Sequence, residues 1–166
     1  MISSELIRRY PFFAGLNSGQ IQALAMAGEE VEVAGGHVFF RETDLLDRFY
    51  LLLKGEVGIV LEATARGVKH GVAAQLTGQV KTEDMVVSAV RPGEVFGWSA
   101  LFQPYEATAG AKALAPCKAV GFNAKDLLRI FEKDCAFGYA MAQKIVQVVQ
   151  LRLRDRDIES LAERHP

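Results

Sequence analysis

At Glu29 the spacing of apolar residues changes from a helical period to a period of two, and this change limits the fold most. The stretch EEVEVAGGHVFFRETDLLDRFYLLLKGEVGIVLEA is rich in Val, Phe, Tyr and Leu and is cut by Gly35-Gly36, Thr43-Asp44 and Lys54-Gly55. Val31 and Val33 alternate with Glu30, Glu32 and Ala34, and Val57, Ile59 and Leu61 can line one face of a later strand. Short strands joined by tight turns follow from such a pattern. Asp84 to Val90 has the same character, and Arg91-Pro92-Gly93-Glu94 is a turn signal. Two further strands are expected around Ala109–Leu114 and Lys118–Phe122, after a short helix at about Trp98–Phe102 and a turn near Pro104. The segment TARGVKHGVAAQLTGQVKTED between these runs reads as a polar hairpin excursion with room for a short helix.

Helical patterns flank the strands. Ser3 or Ser4 can cap ELIRRY, Pro11 breaks it, and Ser18 can cap IQALAMAG, with Gly28 as the stop. Asn123 can cap AKDLLRIF, with Asp126 in a capping-box variant, and Lys133-Asp134 makes a short break. From Cys135 the pattern is one long helix. Helices, many short strands, then helices predict a small antiparallel barrel or roll with helices around it. Residues 1–134 are read as one domain, and 135–166 as a long helix attached to it.

Composition excludes several classes. Half of the 166 residues are hydrophobic and 23% are charged, which suits a folded domain and not a disordered chain. Nineteen basic and 20 acidic residues give a net charge of −1, so no global positive field attracts nucleic acid. Direct nucleic-acid binding is not expected, because the alternating charges of RLRDRD form no basic recognition surface and no winged helix-turn-helix follows in these residues. No run of about 18 apolar residues predicts a membrane span, and the first residues do not read as a signal peptide. Cys117 and Cys135 form no Cys-x-x-Cys pair, and the default setting is reducing and cytoplasmic. Cys117 is read as a surface or half-buried strand residue and Cys135 as the start of the long helix.

Enzyme chemistry finds no support: there is no G-x-S-x-G, P-loop or H-E-x-x-H string. Glu42, Asp44 and Asp47 read as a solvated turn. His37, His70 and His165 have no metal-ligand spacing, so neither catalytic nor metal residues are predicted.

The text around RPGEVFGWSAL resembles the cyclic nucleotide-binding domain superfamily, in particular the sensor domains of catabolite activator and fumarate–nitrate regulators. Phe12, Phe13 and Leu16 are similar to its N-terminal segment. Gly35, Phe40, Arg41, Tyr50, Gly55 and Val57 match its first strands, and AKALAPCKAVGFNAKDLLRIF matches its later strands and helix. The resemblance implies a mainly β, antiparallel double-stranded β-helix or jelly-roll barrel. It implies a ligand site at Phe96, Gly97, Trp98, Ser99, Ala100, Leu101, Ala107, Thr108 and Ala109. In the family a Glu holds the ribose hydroxyl and an Arg pairs with the phosphate. Here Trp98 takes the Glu position and Ala107 the Arg position, or Glu106 in a register shifted by one. The loss of two buried charged contacts, each worth about 2–5 kcal/mol, means that ordinary cyclic AMP recognition is not expected. Gly97-Trp98-Ser99-Ala100-Leu101 with Pro104-Tyr105 also resembles a prokaryotic branch with Trp at the Glu position and a basic residue after Pro-Tyr, where this chain has Glu106.

Trp98 can therefore stack on a ligand or fill the space of an absent one. The expected ligand is a cyclic nucleotide or other anionic small molecule; no cofactor is assigned, since no residue identifies a haem ligand. The resemblance also implies a homodimer through the long helix, with Met141, Ile145, Val148, Leu151 and Ile158 at the interface. Three functions follow as expectations: a sensor domain, a degenerate domain used in protein interaction or assembly, and a regulator that acts on DNA through a partner protein.

Overall fold

The computed structural model describes residues 1–64 and 82–164. The chain opens with α1 (Ser4–Arg8), a 3-10 turn at Pro11–Phe13 and α2 (Ser18–Ala27). Among the described residues eight strands follow: β1 (Gly28–Val33), β2 (Val38–Phe40), β3 (Arg48–Lys54), β4 (Val57–Thr64), β5 (Thr82–Val90), β6 (Val95–Phe96), β7 (Gly110–Ala113) and β8 (Cys117–Asn123). A 3-10 turn at Trp98–Leu101 separates β6 from β7, and α3 (Ala124–Lys133) and α4 (Cys135–Arg164) close the chain. Two antiparallel four-stranded sheets, ordered β1-β8-β3-β6 and β2-β7-β4-β5, form the mainly β jelly roll.

The period-2 pattern places side chains on both faces of the first sheet. In β8, Cys117 and Ala119 face the second sheet, where they join Phe40, Leu52, Val57 and Phe96. Val120 and Phe122 face the helices, beside Phe49, Leu51, Phe13 and Leu127. Small residues let the layers approach. At Gly55, with φ 93°, a Cβ would run into the Pro116 carbonyl and lie 2.8 Å from the Cys117 sulfur. This packing corrects the expectation for Cys117: it is buried, and its thiol donates to the Glu56 and Ala115 carbonyls at 3.2 and 3.1 Å.

The helix ends follow local chemistry. Ser3 caps α1 through the Glu5 N–H, and Asn123 caps α3 through the Asp126 N–H. The cap of α2 is Asn17 and not Ser18. The Asn17 side chain accepts from the Gln20 N–H at 2.9 Å, and Gln20 returns the bond to the Asn17 N–H at 3.1 Å. Asp134 accepts from the Phe137 N–H at 2.9 Å and so starts α4 where the sequence shows a break. Gly28 stops α2 in extended backbone and begins β1. The flanks of the expected polar excursion pair from Val57↔Val90 to Thr64↔Thr82, while its interior, with His70, lies outside the described residues, as does His165. Among the described residues, no helix is long and apolar enough to cross a membrane.

Candidate functional site

β6 pairs with β3 at Tyr50↔Phe96 and Leu51↔Val95, and the Tyr50 and Phe96 rings stack at 4.9 Å. The chain then reverses at Gly97, in the left-handed region at φ 73°, ψ 23°. That conformation favours glycine, which has no Cβ to clash with the following carbonyl. The 3-10 turn that follows has two sides. Ala100 and Leu101 enter the core under the helices, whereas Trp98 and Ser99 are half-buried and border a cavity of about 360 Å³. The turn ends at Leu101; Phe102 is already extended.

A second segment reaches the same cavity. The Thr43 N–H donates to the Ala107 carbonyl at 2.9 Å, and the Ala107 N–H donates to the Asp44 carbonyl at 2.8 Å. These bonds hold residues 107–109 along the cavity wall. Glu106 pairs with Leu45 outside the cavity lining and is exposed. Ala107, and not Glu106, therefore occupies the wall position facing the 3-10 turn's cavity.

Of the nine residues that the sequence assigns to ligand binding, Gly97, Trp98, Ser99, Ala107, Thr108 and Ala109 line this cavity. Phe96, Ala100 and Leu101 do not; they are core residues that fix the ends of the turn. Phe40, Leu46, Ile59, Leu61 and Val87 complete the wall on the strand side.

The fourth side comes from α4, through Val149, Arg152, Leu153 and Arg156. The Arg152 guanidinium lies over the Trp98 ring, 4.6 Å from its centroid, and donates to the Val95 carbonyl at 3.0 Å. Burial lowers the Arg152 pKa, and the charge of Glu94 acts in the opposite direction. Lys144 donates to the Ala14 carbonyl at 2.6 Å, a second tie between α4 and the body. The family's ligand-binding cassette, here residues 96–101 and 107–109, has no cation of its own, yet among the described residues the cavity lining has two, Arg152 and Arg156, both from α4. A signal for Arg152 exists in the sequence: it continues the Met141, Ile145, Val148 spacing of i, i+4, i+7, i+11, which puts a charge on the buried stripe.

That stripe changes the reading of the expected interface. Met141 and Ile145 are 1% and 2% exposed and belong to the chain's own core, because α4 packs along α3 and joins the core cluster beside the first sheet. Val148 packs at the edge of the same core. Leu151 and Ile158, both 58% exposed, face outward, as do Tyr139 and Val146, while Leu153 is exposed at the rim of the cavity it lines.

The profile of the cyclic nucleotide-binding domain family matches residues 30–134, and the chain belongs to that family. The chain is 25% identical, over 150 residues, to the CRP-like cAMP-activated global transcriptional regulator of Mycobacterium tuberculosis. That match covers 90% of this chain and 58% of the regulator's length. A crystal structure of a protein assigned as cyclic nucleotide-binding from Geobacter metallireducens is 31% identical with a TM-score of 0.74, covering 92% of this chain and 99% of that one. The sensor domain of the regulator DNR from Pseudomonas aeruginosa shares the fold, with 19% identity, a TM-score of 0.64 and 91% coverage of both chains.

Proposed function

We propose that this chain is a regulatory sensor domain that takes a nucleotide-like or other anionic small molecule into its modified cassette and passes occupancy on through α4. The observation that carries this reading is the Arg152–Trp98 contact, which joins the long helix to the cassette at the rim of one cavity. A ligand there touches the wall and the helix together, so its binding energy can bias the helix position. The cavity volume lies within the range of about 300–1,000 Å³ usual for small-molecule sites. Trp98 borders this space without filling it, which supports the sensor reading over a degenerate domain used only for assembly. The surrounding residues include no nucleophile–base pair, which favours binding over catalysis.

The signal output assigned here is a homodimer through the outward side of α4. Tyr139, Val146 and Leu153 recur every seven residues and are 50–68% exposed, which gives an apolar line along the helix for a second copy to cover. Leu151 and Ile158 from the expected interface are exposed on another side of the helix, about 120–160° round from this line, whereas Met141 and Ile145 are buried in the chain's own core.

The test is calorimetric titration and thermal-shift screening of the chain against cyclic mononucleotides, cyclic dinucleotides, linear nucleotides and simple organic anions. Saturable binding by one of these classes, lost on substitution of Trp98, is the expected result. No saturable response in any class would sink the sensor reading and leave the assembly reading.

A further inference from the structure

The cavity wall is unsuited to a sugar and well suited to an apolar body that carries one negative group. Its strand and helix sides present Phe40, Leu46, Ile59, Leu61, Val149 and Leu153. No Asp, Glu, Asn or Gln lines it among the described residues; the neutral polar side chains among its lining residues are those of Ser99, Thr108 and Trp98. A ribose loses its water partners on entry and finds few acceptors in return, whereas an aromatic or branched aliphatic body gains from the same surface.

Charge selects the other end of the ligand. Arg152 and Arg156 line the cavity, and among the described residues neither has a carboxylate within ion-pair distance. A guanidinium carries five donors in one plane. Arg152 sits over the Trp98 ring and gives one N–H to the Val95 carbonyl. Of its five N–H donors, one is used in that bond, which leaves others for an anion. Glu94 lies in the adjoining cleft with Arg91, Asp155 and both arginines, outside the lining of this cavity.

We propose that the cavity binds a small amphipathic organic anion, a carboxylate on an aromatic or branched apolar body, with Arg152 and Arg156 of α4 as its cations. This rests on the reading of the cavity as a ligand site, and it moves the anion contact from the cassette to the helix. Binding would then tie α4 to the body at the point where the helix leaves its own core.

Trp98 is the sole tryptophan, so its fluorescence reports on this cavity. The probes are phenylacetate and cyclohexanecarboxylate, each beside its neutral carboxamide, with cyclic AMP as the nucleotide arm. Each carboxylate is expected to change the Trp98 emission saturably, and to bind ~10-fold or more tightly than its carboxamide, the usual scale of a charge-assisted contact. Arg152→Gln and Arg156→Gln are each expected to shrink that ratio while carboxamide binding stays unchanged. The charged–neutral comparison on the unmodified chain holds even where a variant loosens the helix. Equal binding of carboxylate and carboxamide overturns the proposal. Saturation by cyclic AMP with no response to either carboxylate overturns it too, but leaves the sensor reading intact. Silence from all the probes and from the wider nucleotide screen overturns both.

Discussion

Gly97 shows how one residue sets the site. A Cβ there would stand 3.2 Å from the Arg48 carbonyl oxygen and the Tyr50 ring, and 3.3 Å from the Phe40 ring, in a backbone region that costs an L-residue about 1–2 kcal/mol. Gly97→Ala is expected to destabilise the chain by about 1–3 kcal/mol, the strain together with the tight contacts, as read by urea denaturation. An unchanged midpoint would show that the turn relaxes freely. The Trp98–Arg152 contact makes a second prediction. A double-mutant cycle with Trp98→Leu and Arg152→Gln should give a coupling of about 0.5–2 kcal/mol, and additive losses would remove the contact as a link between helix and cassette. Gly97, Trp98 and Thr108 were legible in the sequence because the FGWSAL string and its spacing survive. The sequence marks Arg152 only as a charge on the buried stripe of α4; its contact with Trp98 depends on how α4 docks. Glu106 and Ala107 were ambiguous by one position until the bonds to Thr43 and Asp44 fixed which of them joins the wall.

At the level of elements, α4 carries two kinds of apolar residue that composition alone does not separate. Ile145 lies inside the chain's own core, so Ile145→Ala should cost about 2–5 kcal/mol in a urea titration. Val146, one residue on, points outward; Val146→Glu should leave the unfolding midpoint of the monomer nearly unchanged and shift the molar mass seen by light scattering from dimer to monomer. A Val146→Glu chain that remains dimeric would put the seam elsewhere. The family resemblance groups Met141, Ile145 and Val148 with Leu151 and Ile158 at one interface, although the first three share one helical face and the last two lie about 60–120° round from it. Spacing tells which residues share a face, but the direction of that face is decided by what α4 covers. The strands were more legible: turn residues such as Lys54-Gly55 and Pro92-Gly93 are local signals, and the period of two survives in both sheets. The cap of α2 fell one residue early, at Asn17, because Asn and Ser are both able caps and the return bond from Gln20 decided between them.

For the whole molecule, alkaline pH and chain length test how the layers depend on one another. Burial raises the Tyr50 pKa above its ordinary 10.0, with Arg48 lowering it and Asp47 raising it. The unfolded chain therefore ionises first, and stability falls as pH rises past about 10. Lys118 is raised by its bonds to Glu30 and Glu32; the stability of these pairs is full below about pH 10 and is lost as pH rises through the folded value. Both effects have the same sign, so melting temperature should drop on the alkaline side, and Tyr50→Phe should flatten part of that drop. Chain length tests the division of α4. We place the boundary between core and signalling parts of this helix near Val148, later than the break at Asp134 suggests. A chain ending at residue 134 lacks Phe137, Met141 and Ile145, three core residues that are 0–2% exposed. Their loss at about 2–5 kcal/mol each is comparable to the whole stability of a domain, about 5–15 kcal/mol. That chain should show no cooperative melt. A chain ending at residue 150 keeps all three and loses Arg152 and Arg156, so it should still melt cooperatively while its preference for carboxylate over carboxamide disappears. If the 134-residue chain instead melts like the full one, α4 is an appendage of the roll, and Met141 and Ile145 become free to serve the interface.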